Sequence, residues 1–378
     1  MPALPPVTLI GHPFGTTGRA QHLRAVWRAL ATAGIAARIV DMAEATARDD
    51  AELFAEFGPH LIEEPPDGFR LFHLNGAEIV PEVLPLLRAA EDTFGASYNI
   101  VFPAWELPHY PAEWGHKLDQ FDEVWTATRF ADDAIRPAVN APVRHIPNAC
   151  EPHVTTPLPR AHFGIPENRF AVLFYFDFWS YAARKNPAAV VETFARVLAA
   201  RPAAALQLVL KLNHAAHDVH TTAALRADIA RFGDRVTLID ATLRDNEAKN
   251  LVRCCDCFLS LHRSEGFGRG PAEAMFFGKP VIATGWSGNM DYMWPGTAFP
   301  VRYTLVPVGR GAYPCADGQV WAEPDVAHAA ELLAGLIDDP AGAQAVGARA
   351  RAHMLANFSD AVLGARYRAR FEAIVAGK

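Results

Sequence analysis

CFLSLHRSEGFGRGPAEAMFFGKPVIATG, Cys257 to Gly285, is the stretch that decides the fold. CFLSLH is a short apolar run of strand type, and PVIATG is another. Between them lies a glycine loop, with Gly266, Gly268 and Gly270 leaving the backbone open to a ligand. Pro271 suits the first helical position and PAEAMFF reads as the helix. Gly278 is its C′ stop, and Pro280 prevents continuation. The segment is therefore a strand–helix–strand unit with Glu265 in its loop and Glu273 in the helix's first turn.

The same alternation runs outward in both directions. VTLIGH, ARIVD, RLFHLNG, YNIVFPAW, DEVWTAT and VRHIPN read as strands of a first half, with helical segments between most of them. The first helix, from Gly18, closes at Gly34. ACEPHVTTPLPRAHFGIPENR, after Asn148, is proline-rich and aperiodic, a linker. FAVLFYFD, LQLVLKLN and RVTLID then restart the pattern, and NPAAVVETFARVLAA is a helix with Asn186 as N-cap and Pro187 first. From about Glu323 the chain reads as helix only. Two α/β halves with mostly parallel sheets are expected, with ligands outside the carboxyl ends of the strands and a cleft between the halves.

Composition narrows the function. At ~150 residues per domain, 378 residues make two or three domains. With 35 basic and 42 acidic residues the net charge is −7, and no basic block offers a nucleic-acid footprint. No secretory leader and no apolar run of ~18 residues is read, which leaves peripheral membrane contact open. Five cysteines, an odd number, fit a reducing, cytoplasmic setting, and CCDC reads as core packing.

Glu273 has two readings. An acidic residue stabilises a helix N-terminus, or it accepts hydrogen bonds from vicinal hydroxyls, as acids do for a ribose. Glu265 gains little from capping and lies where a ligand belongs.

The motif SEGFGxxxxEAMxxGKPVIAT, with FDFWSYAARKNP, FPAWELPHYPAEW and WSGNMDYM, resembles the retaining glycosyltransferases of family four, in a bacterial polysaccharide-type subgroup. The resemblance implies a GT-B fold: an acceptor-side domain over 1–150, a nucleotide-sugar domain over 151–357, and a helix over 358–378 crossing back to the first. Glu273 would bind the ribose and Glu265 the donor sugar's hydroxyls. The amides of Gly266, Phe267 and Gly268 would face sugar and diphosphate, and Ser287, Gly288 and Asn289, with Asp291, would form a second wall. Lys185 would bind the donor phosphates.

Breaking a sugar–phosphate bond leaves added negative charge that must be stabilised. No Asp-x-Asp occurs in the chain, so metal-independent chemistry without a cofactor is expected. Arg184 and Lys185 are the candidate cations. Many relatives carry an arginine straight after the preceding strand; here FYFDFWSY has no base, so Arg184, Lys211 or Arg263 is to fill that place. In the first half, Gly15 lies in a loop that in GT-B enzymes faces donor phosphate or acceptor. Trp105, Glu106 and His109 are acceptor candidates, with core packing for Trp105 and capping for Glu106 as the competing readings. His214, His217 and His220 have helical spacing without an evident partner, and no metal is assigned to them. Arg366, Arg368 and Arg370 belong to the last helix, with a lipid-facing basic surface as an alternative.

These readings describe transfer of a hexose, mannose among the candidates, from a GDP- or UDP-linked donor to a glycan or lipid-linked acceptor. A sugar-nucleotide epimerase and a non-catalytic binding subunit are the alternatives.

Overall fold

The structure is a computed structural model and describes residues 4–42, 49–76, 78–79 and 96–377. It divides into two compact units, residues 1–151 with 356–378, and residues 152–355.

In the first unit the strands are β1 (Val7–Gly11), β2 (Ala37–Asp41), β3 (Phe69–Phe72), β4 (Tyr98–Val101), β5 (Glu123–Thr126) and β6 (Val143–His145). Its helices are α1 (Gly18–Thr32), α2 (Ala51–Phe57), α3 (Ala112–Leu118) and α4 (Arg129–Ile135). Most of the segment joining β3 to β4, expected to be helical, lies outside the described residues. The sheet is parallel, in the order β2-β1-β3-β4-β5-β6. Strands β1, β3 and β5 are buried along their whole length, as a parallel sheet favours.

The second unit holds β7 (Phe170–Asp177), α5 (Ala182–Lys185), α6 (Pro187–Ala200), β8 (Leu206–Asn213), α7 (Val219–Ala230), β9 (Val236–Asp240) and α8 (Asp245–Cys254). It continues with β10 (Cys257–Ser260), α9 (Arg269–Phe276), β11 (Val281–Thr284), β12 (Phe299–Val301), β13 (Tyr303–Pro307), β14 (Val320–Pro324) and α10 (Val326–Asp338). Helices α11 (Pro340–Phe358) and α12 (Asp360–Val375) complete the chain. The six-stranded order is β12-β11-β10-β7-β8-β9, all parallel. The order reverses between β7 and β10, a topological switch point of the kind at which open α/β sheets bind ligands.

Strands β12, β13 and β14 are not legible in the sequence. Strand β13 is mostly exposed, and it pairs with β14 as an antiparallel hairpin outside the main sheet. Neither alternation nor a continuous apolar run marks it.

Packing of α12 belongs to the first unit. Tyr367 stacks on Trp125 at 5.9 Å and Phe371 on Phe69 at 4.5 Å. Of its three arginines, Arg366 is exposed, while Arg368 and Arg370 have partners within the unit. Arg368 Nε donates to the Ala33 carbonyl at the end of α1 (3.0 Å), and Arg370 pairs with the buried Glu123. At Arg368 a cation meets the last carbonyls and the dipole of α1. Among the described residues no helix is long and apolar enough to cross a membrane.

Candidate active site

At the switch point the loops after β7 and β10 meet. Asp177 ends β7 and accepts from the Trp179 backbone N–H at 2.9 Å. The chain then makes the single turn of α5, and Asn186 follows at φ 54, left-handed. Asn186 forms no side-chain cap, contrary to expectation. A residue before proline is disfavoured in the right-handed helical region. Asn186 takes the left-handed conformation that commonly ends a helix, which asparagine tolerates. Its N–H closes α5 on the Ala182 carbonyl (2.8 Å), and Pro187 opens α6.

This joint aims two cations at one carboxylate. Lys185 Nζ donates to Glu265 Oε1 at 2.5 Å, and Arg184 Nη1 donates to Glu265 Oε2 at 3.2 Å and to the Ser264 carbonyl at 2.8 Å. Burial by itself would push the Glu265 carboxyl up; Lys185 and then Arg184 overcome that and hold it at about 2. Glu265 is thus fully ionised at neutral pH and accepts hydrogen bonds without donating any.

The loop after β11 locks onto the same segment. The Glu265 N–H donates to Ser287 Oγ and the Gly288 N–H to the Glu265 carbonyl, both at 2.9 Å. Ser287 sits at φ 77, a strained setting of the kind that gathers at ligand sites. A Cβ on Gly288 would lie 2.1 Å from the Gly266 carbonyl oxygen, so only glycine fits. Tyr292 Oη donates to the carbonyls of Phe267 (2.9 Å) and Gly268 (2.5 Å), and Gly268 at φ 84 starts α9.

Asn289 lies inside this wall rather than on its surface. Fully buried, it donates through Nδ2 to the Thr284 carbonyl (2.9 Å), and its Oδ1 meets His262 Nε2 (3.0 Å). An acceptor at Nε2 requires that nitrogen to carry the proton, so His262 Nδ1 accepts from Ser260 (3.0 Å). Burial lowers His262 to about 4 and keeps it neutral. His262 is fully buried and supports the wall from within.

Glu273 is placed differently from the reading above. Helix α9 begins at Arg269, so Glu273 lies beyond the first turn and does not act on the helix N-terminus. Its Oε1 accepts from Lys249 Nζ (2.6 Å) and Arg269 Nη2 (3.3 Å), and its Oε2 from Tyr175 Oη (3.4 Å). Burial and the neighbouring Glu273 raise the Tyr175 hydroxyl well above its ordinary value. Sequence reasoning missed all three partners. One signal was available for Lys249: a lysine on the buried face of the amphipathic α8.

The remaining cations are committed elsewhere. Lys211, on β8, pairs with Asn213, and burial lowers it to about 8 against Asp177 and Asp240. It makes no hydrogen bond to either glutamate, so Arg184, not Lys211, adjoins Glu265. Arg263 donates to the Ala183 carbonyl (2.6 Å) and to Glu323 (2.6 and 3.1 Å). It braces the hairpin strand β14 against α5.

The first-unit candidates lie within their own unit. Gly15 belongs to a loop pinned by the buried Arg24, which donates to the carbonyls of Pro13 (2.7 Å) and Gly15 (3.0 Å). Trp105 is a core residue, 1% exposed, with its ring 5.3 Å from Tyr110 and 5.6 Å from Trp114. Both contacts are edge-to-face, and the indole is buried within its own unit. Glu106 is half-buried and His109 exposed. His214 stacks on Trp179 at 3.5 Å and bonds to Asp177 at 3.0 Å. Among the described residues no group of His, Cys, Asp or Glu is arranged to hold a metal ion.

Residues 170–310 match the family model described as glycosyl transferases group 1. No curated protein matches the chain in sequence. HepE of Anabaena, solved with UDP, superposes with a TM-score of 0.69 at 16% identity over 97% of this chain and 100% of that one. A glycosyltransferase from Rickettsia africae gives 0.69 at 13% identity, covering 98% and 99% of the two chains. Sucrose-phosphate synthase from Thermosynechococcus elongatus gives 0.66 at 17% identity, covering 99% and 100%. The likenesses establish the GT-B fold. The matched segment, which contains the Glu265 cluster, marks the protein as a glycosyltransferase.

Proposed function

We propose that this is a retaining glycosyltransferase that moves a hexose, with mannose among the candidates, from a nucleoside-diphosphate sugar to a glycan or lipid-linked acceptor. The carrying observation is Glu265, buried between Lys185 and Arg184 at the switch point of the second unit. A permanently ionised carboxylate suits the hydroxyls of a bound sugar. The two cations and the N–H groups opening α9 suit its diphosphate. HepE has been solved with UDP and with UDP-glucose, which supports a nucleotide sugar as donor here.

In the reaction the bond from the anomeric carbon to the phosphate oxygen breaks, and a bond from that carbon to the acceptor oxygen forms. The acceptor's proton passes to the departing phosphate, whose charge Lys185 and Arg184 offset. No protein nucleophile is assigned. The absence of an Asp-x-Asp sequence supports catalysis without a metal. The first unit, with the half-buried Glu106, the exposed His109 and the Gly15 loop before α1, is assigned to the acceptor side.

A panel of nucleotide sugars, incubated with and without EDTA and assayed for free nucleoside diphosphate and isomerised donor, tests the proposal. Nucleoside diphosphate release that resists EDTA is expected. Glu273→Ala should raise the nucleotide Kd, and Lys185→Ala should lower kcat. Isomerised donor in place of transfer, or unchanged kinetics in both variants, would refute the assignment.

A further inference from the structure

Helix α5 carries both cations of the cluster, yet it spans only Ala182–Lys185, 4 residues. A single turn is below the length at which a helix holds itself, because nucleation is unfavourable. Both of its flanks also have sparsely populated backbone: Tyr181 before it at φ 65 and Asn186 after it at φ 54. Such conformations persist only where the surroundings over-determine them. The aim of Lys185 and Arg184 is therefore set from outside α5.

Arg263, in the loop after β10, makes that contact. Its backbone N–H donates to the Arg184 carbonyl (2.7 Å), and its Nη1 donates to the Ala183 carbonyl (2.6 Å). These carbonyls belong to the last turn, which finds no partners within its own helix. Strand β14 in turn holds Arg263. Glu323 accepts from Nε (2.6 Å) and Nη2 (3.1 Å), so all three guanidinium nitrogens are committed. The Ala322 N–H donates to the Arg263 carbonyl (2.9 Å), and the guanidinium lies over the Trp321 ring at 5.5 Å. The loop of the same hairpin sets the Tyr313 ring against Tyr181 (4.9 Å) and against the Arg184 guanidinium (5.9 Å).

We propose that Arg263 is a positioning residue: oriented by Glu323, it caps α5 and holds Lys185 and Arg184 at the aim from which they meet the donor's diphosphate. Arg263 touches no phosphate; it acts through the two cations. This inference rests on the donor-site reading above and adds what directs its cations. It also gives the β13–β14 hairpin, outside the main sheet, a part in the reaction. A misplacement of ~1 Å in such a group can lower a rate ~100-fold, so a cap on a single turn has kinetic weight.

The test reads release of nucleoside diphosphate by the full chain from UDP-glucose and from GDP-mannose, using whichever the wild type turns over. Arg263→Met keeps the stem and removes the guanidinium. It should lower kcat at least ~10-fold and change donor KM less than ~3-fold, the pattern of an interaction lost in the transition state. Made in Lys185→Met, the same substitution should lower kcat less than ~3-fold, because residues that act as a unit are not additive. A merely structural role would lower both backgrounds by the same factor. Glu323→Gln, at a side chain 40% exposed, should lower kcat ~3-fold in the wild type and leave Arg263→Met unchanged. A kcat for Arg263→Met within ~3-fold of wild type, or equal losses in the two backgrounds, would overturn the inference. If Arg263→Met does not fold, Glu323→Gln decides alone, and an unchanged kcat there overturns it. Release from neither donor by the wild type would overturn the donor-site reading itself, a distinct outcome.

Discussion

Replacing Lys185 with methionine probes the charge balance around Glu265 most directly. The substitution keeps the aliphatic stem and removes the ammonium 2.5 Å from Oε1, leaving Arg184 at 3.2 Å. The wild-type carboxyl is depressed from 4.5 to about 2. At 1.36 kcal/mol per pKa unit, that difference corresponds to stabilisation on the order of 3 kcal/mol. A depressed carboxyl contributes fully above its unfolded value and loses the contribution as pH falls from 4.5 toward about 2. Lys185 is the largest of the groups holding it down. Lys185→Met should therefore cost about 2 kcal/mol at neutral pH, somewhat under the range for a fully buried broken pair because Arg184 remains. The gap between wild type and variant should narrow progressively below pH 4.5. Urea unfolding followed by circular dichroism, run on both proteins at pH 7.5 and at pH 3, reads the two gaps. A variant as stable as wild type at neutral pH, or a gap of the same size at both pH values, would refute the reasoning.

Two further outcomes follow from packing. Gly288→Ala must move the backbone, since its Cβ would meet the Gly266 carbonyl oxygen at 2.1 Å and that of Glu265 at 2.9 Å. It should destabilise by about 1–3 kcal/mol, as overpacking does, and weaken nucleotide binding; a thermal melt and a UDP titration check both. Trp105→Ala should cost about 3–5 kcal/mol as a large-to-small core change while leaving UDP affinity in the other unit intact. A stable variant that selectively loses acceptor affinity would instead restore Trp105 as a sugar contact.

Much of the fold is legible in the sequence because its signals are local. Strands such as FAVLFYFD and LQLVLKLN are apolar on both faces, as a parallel sheet requires, and Gly34, Gly278 and Pro187 mark helix ends. The hairpin strand β13 escapes because its residues are largely exposed and it pairs with β14 outside the main sheet. Glu265 stands out in a glycine loop, yet nothing local names its partners. Lys185 lies 80 residues earlier and reaches it only because β7 and β10 are neighbours in the sheet. Lys249 joins Glu273 because α8 packs on α9. Residue type also leaves burial undecided. The indole of Trp105 reads equally as a sugar platform or as core in the sequence, and only the fold shows it buried beside Tyr110 and Trp114.

By itself, then, the sequence determined the alternating architecture and the loop that carries the first carboxylate, since periodicity and glycine–proline punctuation act over a few residues. The tertiary structure alone decided which cations neutralise which acids, that Asn186 turns left-handed instead of capping, and that Asn289 and His262 stiffen the wall from within. Strand order and close packing bring distant residues together, and no local pattern encodes that choice.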